Sequence, residues 1–214
     1  QICRMTTEGI TGGRGTGKST VAQILRQRGW PVYASDDTAT TIMENDADVH
    51  RELVELFGPS AMHDGTPYRT AIAALVFGDD PEARRRLAAL NAIVHPRVRE
   101  EHRTRMAEHR AMGTPVMAIE SALLFDAGLD REVDVVVVVD ADDDVRIRRV
   151  MERNKLTREQ VLARIAAQMP MAEQRSRANF VIRNDAGLEA LTESTNAVAA
   201  RIEAGASAGD GQVS

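Results

Sequence analysis

Short strand-like runs alternate along the chain with segments whose apolar residues recur at helical spacing, the mark of strands alternating with helices. Thr6 to Thr11 reads as a short first strand, although Glu8 makes it less apolar than a central strand usually is. Val21, Ile24 and Leu25 follow at helical spacing, and Gly29 ends that helix. Val32 to Ser35 reads as a second strand, and Pro115 introduces a third, Val116 to Glu120. Val133 to Val139 is a β-branched run bounded by acids, as expected of a strand buried on both faces. Phe180 to Arg183 is the last strand, and the whole alternation predicts an α/β fold around a parallel sheet.

Between the second and third strands, residues 38–113 read as mostly helical. Leu53, Leu56 and Phe57 end one helix before Gly58-Pro59, and Ile72, Leu75 and Val76 mark another. Leu87, Leu90, Ile93 and Val94 mark a third, with His95-Pro96 lying between two helical stretches. The excursion is too long for one crossover helix, so a helical subdomain inserted in the sheet is expected. A second helical segment, 146–179, contains Thr157 and Gln160 spaced as a capping box, and Met169-Pro170 is expected to stop its helix. That leaves 5–37, 114–145 and 180–203 for the core, and 204–214 as an unstructured tail.

Composition narrows the classes. The chain has 214 residues, 43% hydrophobic and 28% charged, as in a folded globular protein. Aromatic residues at 3% argue against base stacking as the main activity, so no nucleic acid partner is expected. A single cysteine, Cys3, excludes a disulfide framework and a cysteine-based metal site. No apolar run approaches the roughly 18–20 residues of a membrane helix, and Gln1 to Met5 lacks the apolar core of a signal peptide. The expected location is the cytoplasm, away from membranes. The net charge of -5 is unevenly spread: residues 146–183 carry nine arginines and Lys155 against Glu152, Glu159 and Glu173, a local +7. A basic segment on an acidic body points to an anionic ligand.

Gly12-Gly13-Arg14-Gly15-Thr16-Gly17-Lys18-Ser19 satisfies G-x-x-x-x-G-K-[ST] at every fixed position, between a strand and an amphipathic helix. Glycines let successive N–H groups turn inward onto phosphate oxygens, and the helix N-terminus adds its positive end. Gly13, Gly15, Thr16, Gly17, Lys18, Ser19 and Thr20 are therefore the candidate triphosphate contacts. Lys18 would reach the β- and γ-phosphates, and the Ser19 hydroxyl would bind the Mg²⁺ that accompanies ATP. No N-K-x-D guanine signature occurs in the chain. An arginine-rich segment after the fourth strand suits a small-molecule kinase whose lid covers the transferring phosphoryl group and excludes water.

On the acceptor side, Asp36 and Asp37 sit at the C-terminal end of the second strand, the edge where open α/β sheets gather ligands. One is expected to act as the base for an attacking hydroxyl and the other as a helix cap or first-turn acid. The cluster Asp140, Asp142, Asp143 and Asp144 reads as the cap of the helix carrying Arg146 to Arg153 rather than as a metal site.

The ordered set of motifs resembles the dephospho-coenzyme A kinase family over about residues 8–200. It rests on Gly9-Ile10-Thr11-Gly12-Gly13 with the loop, Pro31-Val32 with Asp36, Phe57-Gly58, Arg69, Val76-Phe77 and Ile93-Val94-His95-Pro96. It continues through Leu123-Leu124-Phe125, Gly128-Leu129, Val136 to Asp140, Arg153, Ala163-Arg164-Ile165-Ala166-Ala167-Gln168 and Val181-Ile182 with Asn184. The resemblance implies a P-loop kinase core with a central parallel sheet, an inserted helical substrate-binding domain and a helical lid. It implies transfer of the γ-phosphoryl of ATP to the 3′-hydroxyl of dephospho-CoA, with no obligate protein partner. By the same likeness Asp36 orients that hydroxyl, and Arg69 and His95 lie in the coenzyme-binding domain. Arg149 and Arg153 are lid arginines over the phosphates, and Asn184 lies near the adenine. Ala34, Tyr68, Glu120, Ala122 and Asn154 depart from the family pattern, and Arg14 stands where the family usually has Ile. Two other readings stay open at this point: a kinase for another nucleotide or sugar acceptor, and an ATP-binding regulatory module without transfer activity.

Overall fold

A computed structural model describes residues 5–63, 66–67, 69–76, 80–166 and 168–205. The chain begins with β1 (Thr6–Thr11), α1 (Lys18–Gln27) and β2 (Val32–Ala34). It then builds α2 (Ser35–Asn45), α3 (Ala47–Phe57), a two-strand pair β3 (Met62–His63) and β4 (Thr66–Pro67), α4 (Arg69–Val76) and α5 (Pro81–Ala111). From there it runs through β5 (Val116–Glu120), β6 (Val135–Asp140), α6 (Asp143–Asn154), α7 (Arg158–Ala166), α8 (Met171–Ser176), β7 (Phe180–Arg183) and α9 (Leu188–Glu203). Residues 206–214, most of the expected tail, lie outside the described residues.

Two compact units emerge, one of residues 1–34 and 106–214, the other Ser35–Arg105. The first holds a five-stranded sheet in the order β2-β5-β1-β6-β7, with every pairing parallel. One face packs Ile10, Val137 and Ile182 with Val21 and Leu25 of α1 and Leu191 and Val198 of α9. Such strands must be apolar on both sides because helices and loops cover both faces. The valine run enters its strand at Val135 rather than Val133. Asp134 ends the approach by accepting the Thr7 N–H on its carboxylate at 2.9 Å and donating its own N–H to Thr7 O at 2.8 Å. The first unit also takes in the last turn of α5, since Met106 packs with Met5, Met117 and Ile119.

Glu8 sits in the middle strand, 1% exposed, in register with Ala118 on one side and Val135 on the other. Its Oε2 has no hydrogen-bond partner among the described residues, and burial pushes its pKa up to about 8 from 4.5. The folded chain therefore holds this proton where the unfolded chain has lost it. Stability from this group is fully present below pH 4.5 and falls as pH rises toward 8, by on the order of 1.4 kcal/mol per unit. Glu8→Gln is expected to flatten that slope, so its melting temperature gains on the wild type between pH 5 and 8. Thermal denaturation of both proteins across that range checks it, and parallel curves would refute it.

In the second unit Val49, Leu53, Ala61, Ile72 and Val76 form a core flanked by Leu87, Leu90 and Ile93. Asp46 caps α3 by accepting the N–H groups of Asp48 and Val49. Gly58 follows that helix at φ 82°, a conformation an L-residue side chain disfavours. The expected break at His95-Pro96 is absent, because α5 runs unbroken through Pro96. Proline removes one helical N–H and crowds the preceding turn. The Arg97 guanidinium donates to Ile93 O at 2.7 Å and meets Glu52 of α3 at 2.5 Å, tying this stretch of the helix to its neighbour. Leu90, Ile93, Val94 and Val98 pack on both sides of the proline, and the helix continues through it.

The acidic cluster divides its work. Asp142 occupies the N-cap of α6 but makes no side-chain capping bond, while Asp143 and Asp144 fill the first turn. Asp140 is not a cap: its buried carboxylate meets Arg175 at 2.9 Å and Arg183 at 2.7 Å. The capping box of α7 forms as its spacing indicates, with Thr157 N–H donating to Gln160 Oε1 and Gln160 N–H to Thr157 Oγ1.

Candidate active site

The glycine-rich loop leaves β1, the middle strand of the sheet, at its C-terminal end and enters α1 at Lys18. Gly17 is the N-cap of α1 at φ 98°, and a Cβ there would run into the side-chain amide of Asn184. Four successive loop carbonyls are engaged by side chains. Gly13 O accepts from Lys18 Nζ at 3.2 Å and from Thr16 Oγ1 at 2.9 Å. Arg14 O accepts from Arg146 Nε at 3.1 Å, Gly15 O lies 3.4 Å from Arg149 Nη1, and Thr16 O accepts from Asn184 Nδ2 at 2.8 Å. In a planar trans peptide the next N–H points opposite the carbonyl. The N–H groups of Gly15 and Gly17 thus face away from Arg146 and Asn184. Inward N–H groups joined to a helix N-terminus make a receptor for anions.

Thr16 is buried and Lys18 half-buried, whereas Ser19 is exposed in the first turn of α1. Thr20 donates its N–H to Gly17 O at 3.0 Å. Arg149 also approaches Asn184 Oδ1 at 3.4 Å, so loop, α6 and the end of β7 share one hydrogen-bonded set. Arg153, one turn further along α6, is exposed and bonds its neighbour Asn154. At the same sheet edge Glu120 stands in register between Ala34 and Ile10. Among the described residues no group of three or more His, Cys, Asp or Glu is arranged to hold a metal by itself. No described helix is long and apolar enough to cross a membrane.

Asp36 and Asp37 both lie in the first turn of α2, exposed, directly after β2. His95 is half-buried within α5, and Arg69 opens α4, its side chain lying outside what is described. Tyr68, Phe77 and Ala167, which the motif reading quoted, also lie outside the described residues.

The family model for dephospho-CoA kinase matches residues 7–190, which takes in the loop, α2, α5, α6 and Asn184. This chain belongs to the dephospho-CoA kinase family. It is 44% identical over 203 residues to a dephospho-CoA kinase of Thermus thermophilus, covering 95% of each chain. To the dephospho-CoA kinase of Geobacillus kaustophilus it is 42% identical over 183 residues, 84% of this chain and 88% of that one. The crystal structure of TT1252 from Thermus thermophilus superposes with a TM-score of 0.75 at 42% identity, over 93% of this chain and 98% of that one. As a dephospho-CoA kinase, the chain is a P-loop kinase whose parallel sheet carries the loop on its middle strand.

Sequence reasoning missed three side chains that touch the loop of this dephospho-CoA kinase: Arg146, Gln168 and Met171. Arg146 was legible in part, since it lies three residues before Arg149 on one helix face. Gln168 was quoted only as the end of a motif, and Met171 carried no signal.

Proposed function

We propose that the chain phosphorylates the 3′-hydroxyl of dephospho-CoA at the expense of ATP, the last step of coenzyme A biosynthesis. The observation that carries this reading is a glycine-rich loop at the N-terminus of α1 whose carbonyls of residues 13 to 16 are all engaged by side chains, in a chain of this family. Gly13, Gly15, Thr16, Gly17, Lys18, Ser19 and Thr20 contact the triphosphate, with Lys18 on the β- and γ-phosphates. Magnesium suits the exposed Ser19 hydroxyl together with phosphate oxygens and water, the usual way this ion is held without a protein cage. When bound, the ion neutralises charge on the phosphates. Asp36 takes the proton of the attacking 3′-hydroxyl as the new O–P bond forms and the bond to the β-phosphate oxygen breaks, releasing ADP. Arg149 and Arg153 stabilise charge on the group in transit. Asn184 lies beside the adenine, and Arg69 and His95 hold dephospho-CoA. The enzyme works in the cytoplasm.

A coupled assay of ADP release in the presence of Mg²⁺ tests the reaction. Turnover should require both ATP and dephospho-CoA, and a rate no higher than the ATP-only blank would overturn the reading.

A further inference from the structure

The loop is held at one point from two directions. Arg14 N–H donates to Gln168 Oε1 at 2.9 Å, and Arg14 O accepts from Arg146 Nε at 3.1 Å. The two groups come from different places, Arg146 from α6 and Gln168 from the turn between α7 and α8. The Arg146 side chain is 3% exposed, and its guanidinium also meets Asp143 at 2.9 Å. It packs so closely on the loop that a Cβ at Gly13 would collide with it, and one at Gly15 would meet the Arg146 backbone. A buried guanidinium is costly unless its donors are satisfied, and here the loop backbone supplies part of that satisfaction. Neither side chain is given a contact with ATP or dephospho-CoA in the reading above.

We propose that Gln168 and Arg146 are positioning residues for triphosphate binding. Together they clamp the peptide groups on either side of residue 14 and so fix the direction in which the Gly15 N–H points. The guanidinium also places a positive charge behind the loop. The clamp rests on the phosphate-binding reading of this loop, but it concerns affinity for the nucleotide and not the identity of the acceptor.

The test is direct titration with ATP and with ADP, alongside steady-state kinetics, on Gln168→Leu, Arg146→Met and Arg146→Lys. Gln168→Leu removes the acceptor from a half-buried position and keeps the side-chain bulk, so it is the variant that should fold. It is expected to weaken ATP and ADP about 5–50-fold, since one part-buried N–H loses its partner and the loop its hold at residue 14. KM for ATP should rise with it while KM for dephospho-CoA stays within about twofold. Arg146→Met should do the same more strongly, and Arg146→Lys, which restores a donor and the charge, should recover part of the affinity. Nucleotide affinities within twofold of wild type in folded Gln168→Leu would overturn the clamp. So would a lower melting temperature and active fraction with KM for ATP unchanged. Because ATP titration needs no acceptor, a wild type that binds ATP but phosphorylates nothing would sink the assigned reaction and leave this test intact.

Discussion

Replacing Asp36 by asparagine is expected to lower kcat by about 10²–10⁴-fold while leaving ATP affinity within about twofold. The exchange keeps the shape of the side chain and removes its capacity to accept a proton. Asp36 is exposed in the first turn of α2, where a carboxylate also favours the helix N-terminus. That second contribution is on the order of 0.3–1 kcal/mol, too little to unfold the chain or to imitate a loss of this size. ATP affinity should survive because the side chains gripping the loop are Lys18, Arg146, Arg149, Gln168 and Asn184. Asp37→Asn is the matched control, since Asp37 shares the same turn. Steady-state rates with saturating ATP and dephospho-CoA decide the matter. An unchanged kcat in Asp36→Asn, or an equal fall in both variants, would remove Asp36 from the role of base.

Lys18→Ala is expected to weaken ATP at least tenfold and to lower kcat by about 10²–10³-fold. The Lys18 ammonium lies 3.2 Å from Gly13 O, so it is already drawn across the loop rather than extended into solvent. Its loss takes a charge from the phosphates but leaves the carbonyls of Arg14, Gly15 and Thr16 with their partners. The loop should therefore keep its shape, and the melting temperature should hold. Lys18→Arg should not restore activity, because a planar five-donor fork does not replace a compact ammonium in a tight loop. Nucleotide titration and steady-state kinetics on both variants check this, and near-wild-type affinity in Lys18→Ala would refute it.

Much of the fold was legible because its signals are local. Short strand-like runs located β1, β5 and β7 at their observed limits, and Gly29 and Gly58 marked the ends of α1 and α3. The reading failed where tertiary contacts override a local rule. Pro96 is a helix breaker by propensity, yet α5 continues through it with Leu90 and Ile93 packed on the core of the second unit. Asp140 resembles a cap in sequence, yet two arginines far along the chain claim it.

The charge argument changed most. The arginines of 146–183 look like a free positive surface when counted, but Arg175 and Arg183 neutralise Asp140, and Arg177 pairs with Asp130. Arg158 lies 3.3 Å from Asp144. What reaches the loop from this run of arginines is Arg146 and Arg149, and only Arg149 was singled out from the sequence. Ion pairs 14 to 47 positions apart, and loop contacts 132 and 134 apart, leave no trace in a window of local sequence.

The partners of the loop bond to its main chain, and this bears on how its sequence can drift. Arg14 puts a long charged side chain in the middle of the loop, a choice that looks severe on paper. The groups that Gln168 and Arg146 hold at that position are an amide and a carbonyl, which every residue except proline supplies. The side chain at position 14 can therefore diverge with little consequence for the shape of the loop, while the donors and acceptors around it cannot. Tolerance within the loop is tied to constancy at sites some 130 to 155 residues away, separations seen in the 132 between Arg14 and Arg146 and the 154 between Arg14 and Gln168.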